Sequence, residues 1–266
     1  MNLVIVSSSP AGRVARRIQK AATAHAMECR IVGVDDIATL ADSILPDTVV
    51  LPRISPEQNE MASRLSVLQA RGAYVINPAD SWVVSRDKWR TYERLKEFAV
   101  PTPKTVYALA GTIFSAELGL GEQAIFKPRY GTHGEGIIVV KRGDTIPREE
   151  GVLQEYIDTG GADIRLFVVG ERVVAAMQRQ AKPGDFRANL HQGATARRYV
   201  PDDIMQQVAV RAAKSMGLAM AGVDVLGSAG GAVVIEVNPS PGLGIEQYAD
   251  SDVAGAMIEA IAAGLV

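Results

Sequence analysis

The stretch AGVDVLGSAGGAVVIEVNPSPGLGIE, residues 221–246, decides how this chain is read. Two short apolar runs flank a Gly-rich loop, and a Pro-Ser-Pro-Gly stop follows, which together mark a β-hairpin. Side chains alternate faces along a strand. Val233, Ile235 and Val237 are therefore expected on one face, with Glu236 and Asn238 on the other. If the hairpin closes around residues 227–231 with Leu226 opposite Ala232, Asp224 lies opposite Val234 and joins the polar face. Burying carboxylates unpaired in an apolar sheet is very costly. A hard divalent cation removes that cost, because Mg²⁺ takes oxygen ligands and keeps positions open for phosphate. Asp224, Glu236 and Asn238 are thus candidate ligands of Mg²⁺, with Mn²⁺ as the alternative ion. The competing reading is a solvent-facing strand with acids there by chance. Strand interiors are poor in Asp and Asn, which favours the metal.

At 266 residues the chain has room for more than one compact unit. A net charge of −2 argues against a general nucleic-acid-binding surface. Cys29 is the only cysteine, so no intramolecular disulfide forms, and a reducing, cytoplasmic setting is expected. His25, His133 and His191 are scattered and do not resemble a zinc site. The start MNLVIVSSSPAG lacks the basic region of a signal peptide, and no run is long enough to span a bilayer, so no membrane partner is expected.

Residues 3–6, 30–34, 48–51 and 73–76 read as strands alternating with helices over 12–27 and 56–70. This alternation predicts an open α/β domain with ligands beyond the carboxyl ends of its strands. No G-x-G-x-x-G turn is present, so dinucleotide binding is not expected. Arg53 sits at one strand end, as a substrate carboxylate clamp or as a solvated loop charge. Residues 85–98 read as one helix, with Ser85 as its cap, Asp87 in its first turn and Lys88 early on it. The Val-Pro-Thr-Pro run at 100–103 reads as a rigid linker.

Further on, Lys127 interrupts an apolar strand just before the glycine loop Tyr130-Gly131-Thr132-His133-Gly134-Glu135-Gly136. Glycines let backbone N–H groups approach an anion, and a lysine beside such a loop suits a nucleotide phosphate. The bland alternative is a hairpin with a snorkelling lysine. Gln154-Glu155-Tyr156 ends the next strand and could serve an adenine and ribose. A hairpin is predicted from residues 163–169 and 172–177 around Gly170. The polar segment 179–198 then gathers Arg179, Lys182, Arg187, Arg197 and Arg198 with Asn189 and His191, as a functional basic loop or a disordered one. Residues 201–217 read as an amphipathic helix with a stripe of Ile204, Val208, Ala212 and Met216, and residues 251–263 as a last helix.

Together DKWRTYERL, IFKPRYGTHGEGI, LQEYIDTGGADIRLFVVGERVVAAMQRQAKPGDFRANLHQGA, AVRAAKSMGLAMAGVDVL and VIEVNPSPGLGIE resemble the ATP-grasp ligases, most closely the RimK type. The resemblance covers about three quarters of the chain. It implies an ATP-grasp fold, α/β overall and α+β toward the C-terminus. Its expected parts are an N-terminal pre-ATP-grasp domain over 1–84, a central subdomain over 85–152 and a C-terminal, metal-carrying subdomain over 153–266. It implies an ATP-dependent carboxylate–amine ligase working through an acyl-phosphate and adding L-glutamate. The acceptor would be a protein C-terminus or a small cofactor of the tetrahydromethanopterin or F420 kind. Alternatives are a ligase joining another amino acid to an amino-group carrier protein or small metabolite, and a catalytically silent nucleotide-binding module.

By the same resemblance, Lys88 and Lys127 contact nucleotide phosphates, Glu155 and Tyr156 hold the adenine, and Asp163 lies on the ribose side. Arg187 and Asn189 face the triphosphate and acyl-phosphate, with Lys127 as their partner in catalysis. Asp224, Glu236 and Asn238 hold Mg²⁺. Charge adds one expectation: Arg179 and Arg197, with Arg53, select a dicarboxylic amino acid, because a guanidinium fork matches a carboxylate. A homo-oligomer is expected. The chain departs from the family in carrying Pro128 after Lys127, in a short 142–151 segment, and in SPGLGIE, which lacks one residue of the usual run.

Overall fold

The computed structural model describes residues 2–54, 60–131, 134–228 and 230–266. The expected helix start at Pro56 and the Thr132 and His133 positions of the glycine loop lie outside the described residues, as does the side chain of His191. The chain begins with β1 (Asn2–Ser7), α1 (Arg13–Ala24), β2 (Glu28–Gly33), α2 (Ile37–Ser43), β3 (Val49–Arg53), α3 (Met61–Ala70) and β4 (Tyr74–Val75). Its strands form a parallel sheet in the order β2-β1-β3-β4. The continuous apolar run of β1 is buried on both faces, as a parallel strand between helix layers must be. Leu3 and Ile5 pack with α1, while Val4 and Val6 pack with α2 and α3.

The single helix expected over 85–98 is two helices, α4 (Ala79–Arg86) and α5 (Lys88–Glu97). Asp87 breaks them. It has left the helical conformation, and its Oδ1 accepts from the amides of Trp89 and Arg90 at 3.0 and 3.2 Å. A carboxylate satisfying orphan amides starts a new helix. Ser85, the expected cap, lies inside α4 and donates to the Ser81 carbonyl.

A second sheet follows from β5 (Thr105–Ala108), β6 (Gln123–Pro128), β7 (Ile138–Lys141) and β8 (Gly151–Glu155), antiparallel in the order β5-β8-β6-β7. The expected subdomain limit at 152 falls inside β8, whose pairing with β5 and β6 runs on to Glu155. Phe114, Phe126, Val140 and Leu153 fill the core on one side. Ile125, Lys127 and Gln154 occupy the other, by the alternation of the same strands. A side chain at Gly151 would strike the Lys127 carbonyl and the Phe126 ring, which accounts for a glycine there.

The third sheet is built from β9 (Ala162–Val169), β10 (Arg172–Gln180), β11 (Thr195–Arg198), β12 (Met220–Ser228) and β13 (Gly231–Asn238), antiparallel in the order β11-β10-β9-β12-β13. Between β11 and β12 runs α6 (Asp203–Ser215), capped by Asp202, whose Oδ1 accepts from the Met205 amide at 2.8 Å. It covers Ile164, Leu166, Val168, Val223 and Val225 with Val208, Ala209 and Ala212. Ile204, expected in that stripe, is 69% exposed, and Met205 is buried instead. The opposite face, with Phe167, Val169 and Met220, packs on α1 and on α8 (Val253–Ala262), which follows the one-turn α7 (Glu246–Ala249). One core therefore joins the first and third sheets. Among the described residues, no helix is long and apolar enough to cross a membrane.

Asn77 locks this junction. Its Nδ2 donates to the carbonyls of Met220 and Pro239 at 2.7 and 2.8 Å, and its Oδ1 accepts from the Met220 amide at 3.0 Å. The residue is 2% exposed, so truncation strands buried polar groups. Asn77→Ala is expected to cost about 2–4 kcal/mol, read as a fall in the urea midpoint with the m-value unchanged. An unaltered midpoint contradicts the assigned role.

Candidate active site

The inner face of β6 and β8 looks across a cleft toward the polar end of β9, β12 and β13. On β9 the odd residues share a face: Phe167 and Val169 lie under α8, and Arg165 and Asp163 run past that helix into the cleft. The β12–β13 hairpin is tighter than expected. Gly227 pairs with Ala232 and Leu226 with Val233, a one-residue difference from the predicted register. A bulge between Asp224 and Val225 then shifts the ladder again, so that Asp224 stands directly opposite Glu236, and Gly222 opposite Asn238. The expected common face of Val233, Ile235 and Val237 is thereby broken. Val234 and Val237 enter the core, and Ile235 lines the cleft. Bulges re-aim side chains in this way beside functional sites.

The charged centre of the cleft is an alternating row. Asp163 receives both prongs of Arg179, at 2.6 and 2.6 Å. Arg179 reaches on to Asp224 at 2.7 Å, and Asp224 receives both prongs of Arg165, at 2.6 and 2.6 Å. Burial alone would raise the Asp224 carboxyl, but Arg165 and Arg179 outweigh it and hold the group down at about 2. Burial, with the Asp224 charge beside it, lifts Asp163 to about 6 in spite of Arg179. Asp224 is therefore not the unpaired acid assumed from sequence: two guanidinium groups neutralise it.

The donor set can still receive a hard cation. Asp224 and Glu236 face one another across the ladder, Asn238 follows on the same face, and Glu236 is exposed. A carboxylate offers about four lone-pair positions, of which the arginines use three on Asp224. The Asn238 Oδ1 accepts from the Ser240 amide at 2.8 Å, which fixes its orientation. Among the described residues no group of three His, Cys, Asp or Glu is gathered for a metal, so this set of two acids and one amide is the candidate.

Lys127, Glu155, Tyr156, Asp163, Arg187 and Asn189 all line the cleft. Lys127 Nζ donates to Gln154 Oε1 at 2.7 Å and to the Ile235 carbonyl at 3.5 Å. Burial lowers its pKa to about 8 even with Glu236 nearby. Lys88 begins α5 and donates to the Gly131 carbonyl at 3.0 Å, and burial lowers it too. Arg187 is steadied by Asp185, with both prongs at 3.0 Å.

Three sequence expectations are corrected. Arg179 is buried and spent on Asp163 and Asp224, so it is not a free substrate clamp. Arg197 pairs with Gln178 across β10–β11 while Arg179 pairs with Ala196, which puts the two arginines on opposite faces. The supposed single basic loop is thus partly two strands. Arg53 is neither solvated nor open to a ligand. It is buried, donates through Nη2 to the Pro241 carbonyl, and its Nε has no hydrogen-bond partner among the described residues. The sequence pattern assigns no role to Arg165, and it places Gln154 with the adenine and ribose, whereas its Oε1 accepts from Lys127. The two-residue spacing of Asp163 and Arg165 on a strand was the available signal.

The profile of the RimK-like ATP-grasp domain matches residues 85–261. A curated relative from Shewanella sp. (strain MR-4), named "Probable alpha-L-glutamate ligase 2", is 35% identical over 289 residues, covering 97% of this chain and 95% of its own. The fold is shared with the D-cycloserine synthetase DcsG, at a TM-score of 0.77 and 18% identity over the whole of both chains. It is shared also with the ATP-grasp ligase PsnB, solved with a precursor variant, Mg and ADP, at a TM-score of 0.73 and 19% identity over 98% of this chain and 97% of that one.

The Lys127 value generates a pH prediction. Its amine is charged below about 8 and neutral above it, and a polyanion favours the charged form. ATP affinity is expected to weaken as pH rises through about 8, with proton uptake on binding. The Lys127→Arg variant should lack this transition. Calorimetric titrations on either side of that pH, in buffers of different ionisation enthalpy, check it. A flat wild-type profile contradicts the assignment.

Proposed function

The chain belongs to the RimK-like ATP-grasp family and is an ATP-dependent carboxylate–amine ligase, and we propose that it joins L-glutamate to a carboxylate on a protein C-terminus or small cofactor. The observation that carries this reading is the cleft itself. It sets cations, a strand end and two facing acids between two antiparallel sheets. The glutamate assignment is supported by the name of a relative that is 35% identical over nearly the whole chain.

In this reading ATP lies between the sheets, with its adenine against Glu155 and Tyr156 at the end of β8. Asp163 keeps lone pairs for the ribose beyond the two taken by Arg179. Lys127, Lys88 and Arg187 face the phosphates, and Asn189 orients the transferred group. The acceptor carboxylate oxygen attacks the γ-phosphorus, the bond to the β–γ bridging oxygen breaks, and ADP leaves with that electron pair. The glutamate amine then attacks the acyl carbon, phosphate leaves, the nitrogen loses its proton, and an amide remains. No side chain forms a covalent bond, so the chain's contribution is position and charge. Asp224, Glu236 and Asn238 would hold the Mg²⁺, which supplies charge neutralisation between the phosphates.

Two outcomes are expected. With ATP and isotopically labelled glutamate, mass spectrometry should show ADP formation together with a labelled amide on a free-carboxylate acceptor. The same acceptor with its carboxylate amidated should give none. Glu236→Gln preserves shape and removes charge, so turnover should fall by about a hundredfold or more with the urea midpoint held. A fully active Glu236→Gln protein, or equal use of the amidated acceptor, overturns the reading.

A further inference from the structure

We propose that Arg165 is a phosphate ligand held in reserve: it sits on the metal-binding carboxylate Asp224 and transfers to the nucleotide when metal and nucleotide enter together. The inference rests on the site reading above and assigns this residue a role of its own.

Arg165 stands opposite Asp224 in the β9–β12 ladder and grips it with two bonds of 2.6 Å. Arg179 grips the same carboxylate, but the two arginines are not equivalent. Arg179 is also tied to Asp163 by two bonds and its side chain is 6% exposed. Among the described residues Arg165 bonds only to Asp224, and its side chain is 20% exposed where it lines the cleft. A dication brought to Asp224 and Glu236 meets two guanidinium charges within a few ångströms, and like charges at that range repel strongly in a partly dry site. One of them has to yield. Arg179 has a second buried acid to lose. Arg165 has none, and it faces the same cleft as Lys127 and Arg187. A phosphate offers the guanidinium fork what the carboxylate had supplied, two parallel charge-assisted bonds.

The exchange makes metal and nucleotide helpers of one another, and such coupling is reciprocal. Metal alone has to displace a cation without giving it a new partner, so it binds weakly. Metal with ATP supplies that partner. AMP lacks the outer phosphates and gives Arg165 nothing.

Mn²⁺ binding measured by electron paramagnetic resonance, without and with ATP, tests this, alongside calorimetric titration of ATP and AMP. For Arg165→Met, Mn²⁺ alone should bind about tenfold tighter, since one opposing charge is gone, while ATP in the presence of Mn²⁺ should bind about tenfold weaker. AMP affinity should not move. A merely structural arginine would weaken all three. Arg165→Lys keeps the charge without the fork, so Mn²⁺ alone should stay as weak as in the wild type while ATP with Mn²⁺ still weakens. This second variant decides the matter if the methionine variant does not fold. Unchanged or weaker Mn²⁺ binding in Arg165→Met, or an equal loss of ATP and AMP in either variant, overturns the proposal. Wild-type protein that binds no ATP overturns the site reading instead, which keeps the two failures apart.

Discussion

The four-membered charge row Asp163–Arg179–Asp224–Arg165 is the interaction on which the third sheet depends. Its members are direct cross-strand partners, Arg179 opposite Asp163 and Asp224 opposite Arg165. Register and electrostatics therefore enforce each other. A one-residue slip of β9 would turn Asp163 and Arg165 into the apolar layer under α6 and expose Ile164 and Leu166. Removing one partner from such a buried set costs about 3–5 kcal/mol, because it leaves a charge uncompensated. The row forces the sheet to present its polar end to the cleft, and this is the end where β13 brings Glu236.

A second constraint comes from outside that sheet. The turn after Asn238 is held by residues of the first sheet's segment, Asn77 on the Pro239 carbonyl and Arg53 on the Pro241 carbonyl. Burial lowers Arg53 to about 10. It sits at the carboxyl end of a parallel strand, where α/β folds usually receive ligands. Here that position receives a loop of the same chain. The first sheet thus contributes to the site by fixing where β13 ends and where Asn238 points.

The sequence was legible where periodicity and burial agree. The apolar run of β1 and the last helix, α8, follow directly from it. So does the convergence of Asp224, Glu236 and Asn238, although the register used to derive it was off by one at the turn. The bulge beside Val225 added a further residue of offset and restored the common face. A bulge leaves no period-two trace, so strict alternation puts Ile235 on the wrong side. Asp87 suits either a cap or a first turn by its chemistry, and only the backbone angles distinguish them. Arg179 and Arg197 looked like neighbours in one basic loop. Their opposite faces depend on β11 pairing with β10, a tertiary fact that a polar stretch does not encode.

The distribution of partners in the cleft bears on how ligands enter. Among the described residues, the cations that line the cleft, and Lys88 near Glu236 beside it, already have internal acceptors. Asp185 holds Arg187, Gln154 holds Lys127, Gly131 holds Lys88, and Asp224 holds Arg165. The cleft is consequently not a bare positive surface, in keeping with a net charge of −2 for the chain. A polyanion bound as proposed would exchange partners rather than fill unmet charge. Exchange keeps each side chain near its working position beforehand, so little reorganisation remains when the phosphates arrive. It also lowers affinity for anions that cannot offer several acceptor oxygens at once, because each cation surrendered costs the bond it already had. Under the proposed site reading, selection for a triphosphate over smaller anions would then follow from how many internal bonds have to be replaced together. The corrected positions of Arg179 and Arg197 belong to the same account: the first is one of the bonds that stays in place, and the second lies on the other face of the sheet.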